Sequence, residues 1–85
     1  MLGYDFTLSG DASRFLLACP PRLRRMALDE INTMVHGPFR GADFHETGLS
    51  GRRYEVKLAG PIAITYWVDH AAKEVRIIKC ELADG

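Results

Sequence analysis

Surplus charge of either sign is what this sequence most plainly lacks: eleven Lys and Arg cancel eleven Asp and Glu. The balance removes the overall positive field with which many nucleic-acid binders gather phosphates, so any such role has to rest on local clusters. Apolar runs of membrane-spanning length are also missing, and the opening MLGYDFTLSGDAS brings polar residues too early for the apolar core of a secretory leader. A cytoplasmic protein without membrane association is the expectation. Cysteine is scarce. Cys19 and Cys80 stand far apart, in no CxxC or Cys/His spacing, which favours buried free thiols in a reducing compartment over a disulfide. The three histidines show no ligand spacing either, so no metal and no other cofactor is expected.

What is present fits one small domain over 1–85, with 47% hydrophobic residues and an ordinary charged fraction. Tyr4, Phe6 and Leu8 alternate with polar residues, the period of a half-buried strand. SGDAS ends it and supplies Ser9 or Asp11 as a helix cap, with Phe15 and Leu16 as the buried residues of a short helix. Pro20 and Pro21 break that helix and suit the first turn of another, where a missing N–H costs little. There Leu23, Ala27, Ile31 and Met34 recur at helical spacing, widened by Leu28 and Val35, until Gly37 and Pro38 stop the helix.

Residues 39–50 read as a Gly-rich loop with a short extended piece at DFHE. Three strands follow. Tyr54, Val56 and Leu58 alternate with Arg53, Glu55 and Lys57; Ile62 to Val68 is rich in β-branched and aromatic residues; EVRIIKCEL closes the chain's run of strands. Short connections favour antiparallel hairpins, and Tyr54, Val56, Leu58, Ile62 and Ile64 are expected to form the face that meets the helices. The expected fold class is α+β in the order β-α-α-β-β-β, a helical hairpin packed on one face of a largely antiparallel four-stranded sheet.

That order in so short a chain resembles the RelE/ParE superfamily of toxins from type II toxin–antitoxin systems. INTMVHGPFRG resembles the end of the family's second helix with its Gly/Pro exit, LSGRRYEVKL its basic strand, ITYWV its central strand around a tyrosine, and KEVRIIKCEL its closing strand. The resemblance implies a cognate antitoxin as partner. It also implies one of two activities, ribosome-dependent cleavage of mRNA as in RelE-type members or inhibition of DNA gyrase as in ParE-type members. The alternative to the nuclease is a non-catalytic binding module of the same fold, either directed at a protein such as gyrase or an inactive toxin, whose main role is protein–protein interaction. A homodimer in which a second copy covers the sheet edge is a further expectation, since open edges invite pairing.

Metal-independent RNA cleavage needs a base for the 2′-hydroxyl, cations for the developing negative charge and an acid for the leaving oxygen. Lys57 is the best match to a functional lysine of the family. Arg52, Arg53 and Lys57 are the expected phosphate contacts, with Lys57 and His45 as the catalytic pair and Asp43 or Glu46 to orient His45. The sequence departs from the family at Ala63, where an arginine usually precedes the tyrosine by three residues, and at the C-terminal Leu82-Ala83-Asp84-Gly85, where relatives carry an arginine or a His-Tyr pair. Arg22, Arg24 and Arg25 open the second helix, where its dipole disfavours cations; they suit either an external anion or a solvated face with Arg25 paired to Asp29. Trp67 and Tyr66 point to opposite sides of their strand, so one of them faces away from the core. Between Arg22 and Lys57 seven basic residues face five acidic ones, a local and modest excess.

Overall fold

The computed structural model describes residues 3–83, and Asp84 and Gly85, on which the C-terminal expectation partly rests, lie outside them. The chain runs β1 (Asp5–Leu8), α1 (Gly10–Ala18), α2 (Pro21–His36), β2 (Phe44–Thr47), β3 (Arg53–Ala59), β4 (Ile62–Asp69) and β5 (Glu74–Leu82). The sheet has five strands rather than four, in the order β1-β5-β4-β3-β2. The extra strand is Phe44–Thr47, offset by one residue from the extended piece expected at DFHE, and its backbone pairs antiparallel with β3, Phe44 opposite Val56 and Thr47 opposite Arg53. Its four residues are all exposed, so no buried alternation marked it in the sequence. The sheet is mixed: β1 runs parallel to β5, while the other pairings are antiparallel.

Local chemistry accounts for both helices. The Ser9 hydroxyl accepts the Ala12 N–H at 3.1 Å and caps α1, while Pro21 starts α2 in the position where its missing donor is harmless. Gly37 closes α2 by donating its N–H to Thr33 and Met34 carbonyls. The two helices lie on one face of the sheet. Ala12 and Leu16 of α1 and Ala27, Ile31 and Met34 of α2 meet Ile62, Ile64 and Tyr66 of β4 and Val75, Ile77 and Cys80 of β5. Leu23 and Val35 flank this stripe, but Leu28 points off it and is 38% exposed.

The faces of β3 are assigned the other way round from the sequence expectation. Lys57 stands opposite Ile64 and Ala59 opposite Ile62, so Arg53, Glu55, Lys57 and Ala59 share the helix side of the sheet. Tyr54, Val56 and Leu58 lie on the open side with Ala63, Thr65 and Trp67. The physical reason is lateral reach. The core is centred on β4 and β5, and of β3 only Ala59 joins it, leaving the polar residues above Ala59 at the border of the helical layer. On β4 the expectation holds, with Ile62 and Ile64 turned to the helices.

One register shift lies between Thr65 and Tyr66: Thr65 pairs with Lys79 but Tyr66 with Ile77, so Ile78 is the extra residue of β5. The bulge keeps both Cys80 and Ile77 on the core side. The β3–β4 turn needs glycine at residue 60, where φ is +58° and an added Cβ would sit 2.2 Å from the Met26 Cε. Cys19 and Cys80 are free and buried. No helix of the described residues is long and apolar enough to cross a membrane.

Candidate phosphate-binding groove

Because β3 turns its polar side towards the helical layer, a groove forms where that layer ends. A cleft of about 220 Å³ opens between α2 and the sheet, lined by Glu30, Thr33, Met34, Arg40, Lys57 and Tyr66 among others. A second, of about 350 Å³, shares Pro38, Arg40, Tyr66 and Val68 with it and adds Arg52, Arg53, Glu55 and His70. The loop that follows α2 forms the rim common to both.

Lys57 is half-buried in the first cleft, its ammonium 3.7 Å from Asp43 Oδ1. Asp43 is itself fixed, since its other oxygen accepts the Leu58 N–H at 2.8 Å and its own N–H donates to the Val56 carbonyl. The carboxylate therefore orients Lys57 and is not directed at His45. Tyr66 lies beside them with its phenol pushed up to about 12, by burial first and then by the negative charges of Glu55, Glu30 and Asp43. At neutral pH it is a hydroxyl donor, never a base.

Arg52 and Arg53 both line the second cleft, so the structure brings these two expected phosphate contacts together. Arg53 shares the Glu55 carboxylate at 3.8 Å. Arg52 forms no ion pair among the described residues; its guanidinium lies over the Trp67 ring, 4.2 Å from the centroid. His45 lines neither cleft. It projects from β2 on the same side of the sheet as Lys57, with Nε2 3.0 Å from Glu55 Oε1, so its orienting partner is Glu55, while Glu46 turns to Lys79 at 3.9 Å on the open face. Glu55 thus links His45 to the groove.

Two expectations about cations change. Arg24 is committed to the fold: Nε donates to the Leu16 carbonyl at 2.8 Å, and Nη2 to those of Leu17 and Cys19, covering the C-terminal end of α1. Arg25 and Asp29 form no ion pair among the described residues. Ala63 also loses its significance for this groove, because residue 63 projects to the open face, away from Tyr66 and Lys57. Trp67 is the residue of its pair that faces outward, half-buried between the guanidiniums of Arg52 and Arg76.

Sequence reasoning missed Arg40 and the aromatic group beside it. Phe39 stacks on His70 with ring centroids 4.9 Å apart, and the Tyr4 hydroxyl meets His70 Nδ1 at 2.8 Å. These residues are separated by more than thirty positions in each case, and no local pattern announces them. Among the described residues no group of His, Cys, Asp or Glu is arranged to hold a metal ion.

A five-stranded mixed sheet carrying a helical hairpin on one face is the RelE-like fold. By sequence the chain matches no protein-family model and no curated protein. By structure it is similar to a chain of the archaeal RelE–RelB complex from Pyrococcus horikoshii, with a TM-score of 0.76 at 15% identity over 95% of this chain and 96% of that one. It is similar also to a chain of the RelBE2 toxin–antitoxin complex of Mycobacterium tuberculosis, TM-score 0.73 at 19% identity, covering 95% and 99%. A chain of the intact Escherichia coli RelBE complex superposes with a TM-score of 0.65 at 11% identity, covering 96% and 99%.

Proposed function

We propose that this chain is the toxin-like component of a type II toxin–antitoxin pair, held by a cognate antitoxin, and that its groove acts on mRNA at the ribosome. The observation that carries the reading is the similarity, over nearly the whole of both chains, to proteins solved as toxin–antitoxin complexes. The groove supports it independently. Arg40 and Lys57 line one of two adjoining clefts, and Arg40, Arg52 and Arg53 line the other, although the whole chain carries no net charge.

In the cleavage step the 2′-hydroxyl oxygen attacks the adjacent phosphorus, its proton passes to a base, and the bond to the 5′ oxygen breaks as that oxygen gains a proton. In this reading Lys57 and Arg40, which line the same cleft, hold the phosphate's charge, and Tyr66, protonated at neutral pH, has a proton to donate. His45 reaches the groove through Glu55 and serves in this reading as the group that exchanges a proton with the reacting oxygens. One specific observation favours a second reading, a non-catalytic module that only binds its partner. Lys57 and His45 both sit against carboxylates, Asp43 and Glu55, which offset the charge that catalysis would use.

Induced expression with mapping of mRNA ends separates the two. Growth arrest with new cleavage ends, relieved by co-expression of an adjacent antitoxin gene, is the expected result. Arrest without new ends supports the binding module, and no arrest at all removes the toxin reading.

A further inference from the structure

Phe39 is a large apolar ring left 78% exposed at the mouth of a cationic cleft, which is an uneconomical place for it unless something covers it. It is nevertheless held in a fixed attitude. One side of the ring stacks on His70 at an interplanar angle of 5°, and Tyr4 braces the pair edge-on, 6.1 Å from Phe39 and 5.7 Å from His70. The Tyr4–His70 hydrogen bond sets the imidazole's orientation, and Lys73 lies over the Tyr4 ring at 5.5 Å. Arg40 follows Phe39 directly in the chain. Neither Arg40 nor Arg52 forms an ion pair among the described residues, and Arg53 shares only the Glu55 carboxylate, which His45 also holds.

We propose that Phe39 is a stacking platform for one base of a single-stranded RNA, whose flanking phosphates lie on Arg40, Arg52 and Arg53. The inference rests on the RNA-directed reading above and deepens it by naming a subsite outside the Lys57–Tyr66 cleft. Three features select a single-stranded nucleic acid over other anions. A flat, pre-stacked ring suits the π-face that every base carries, guanidiniums beside it suit phosphate oxygens, and bases are available for stacking only when they are unpaired. An acidic peptide would use the arginines but leave the ring without a planar partner.

The cleft contains its own reporter. Trp67 is the sole tryptophan, and Arg52 lies over it, so movement of that guanidinium onto a phosphate alters the indole's emission. The experiment titrates the full chain with a six-nucleotide RNA, the matching DNA, inorganic polyphosphate and polyglutamate, following Trp67 fluorescence and the anisotropy of labelled strands. RNA is expected to bind more tightly than polyphosphate. Phe39→Ala should weaken RNA binding about tenfold, the scale of losing one stacked base, while leaving polyphosphate affinity unchanged. Arg52→Gln should weaken both ligands and lower the salt dependence of binding. Because Phe39 is on the surface, its truncation leaves the core intact, which far-UV circular dichroism checks.

Equal RNA affinity in Phe39→Ala and the parent overturns the proposal, as does tighter binding of polyphosphate or polyglutamate than of RNA. DNA bound as tightly as RNA retains the stacking platform but removes its restriction to RNA. Failure here is distinguishable from failure of the toxin reading. Growth arrest without Phe39-dependent binding sinks the subsite alone, and Phe39-dependent binding without arrest sinks the toxin role alone.

Discussion

His45 Nε2 and Glu55 Oε1 face each other at 3.0 Å across adjacent strands, directly opposite in the β2–β3 register. Both side chains are substantially solvent-accessible, so the pair contributes little to stability, of the order of 1 kcal/mol or less. Its value lies in position. Glu55 borders the arginine cleft and places the imidazole within one carboxylate of it.

His45→Ala is therefore expected to unfold within about 1 kcal/mol of the parent in urea, yet to reduce mRNA cleavage in cells by tenfold or more. Glu55→Gln should preserve the fold and reduce cleavage less, because the amide can still orient the ring. Cleavage unchanged in His45→Ala would remove His45 from the mechanism and return proton transfer to Tyr66 and Lys57.

Arg24 makes the opposite prediction. Its guanidinium satisfies carbonyls at the end of α1, so Arg24→Ala should destabilise the chain by about 1–3 kcal/mol while RNA binding and growth arrest per folded molecule stay unchanged. Arg22→Ala, with no such bonds among the described residues, should be near neutral for stability. Equal denaturation midpoints for Arg24→Ala and the parent would contradict the capping role.

Gly60 joins β3 to β4 with a left-handed backbone, and Met26 of α2 packs against its bare Cα. Gly60→Ala should cost about 1–3 kcal/mol through φ strain and displacement of the Met26 methyl. Adding Met26→Ala to that variant should not restore stability, since it removes the clash but leaves the backbone strain and opens a void. Recovery of full stability in the double variant would show that the contact alone sets the cost.

The helical hairpin was legible in the sequence because its signals are local: Ser9 before a helix, Pro21 within its successor, Ala27, Ile31 and Met34 at helical spacing. The hidden parts are those that depend on what lies alongside. Alternation in β3 defined two faces, but which one meets the helices depends on the sheet's lateral extent, and Tyr54, Val56 and Leu58 went to the open side. β2 carries no buried face of its own and exists through pairing with β3. Arg52, Arg53 and Lys57 stand close together in the sequence, whereas Arg40, Phe39 and His70 meet at the groove, with Tyr4 braced on His70, only through the tertiary packing of distant segments.

Alkaline unfolding tests the electrostatics of the groove and core together. Within the fold Tyr66 keeps its proton up to about 12 against an ordinary value of 10.0, and burial together with Cys19 pushes the Cys80 thiol to about 11 from 9.0. In the unfolded chain both groups ionise earlier, so between pH 9 and 12 the unfolded state binds fewer protons than the folded one. Their contribution is complete below about pH 9 and is lost as pH rises through that window. The urea midpoint of the parent should accordingly fall between pH 9 and 12. Tyr66→Phe should fall less steeply above pH 10, and Cys80→Ala less steeply from pH 9, each offset at neutral pH by its own packing change. Parallel pH profiles for parent and Tyr66→Phe would mean that the phenol is solvated in the fold, and would take with them its assignment as a protonated donor in the groove.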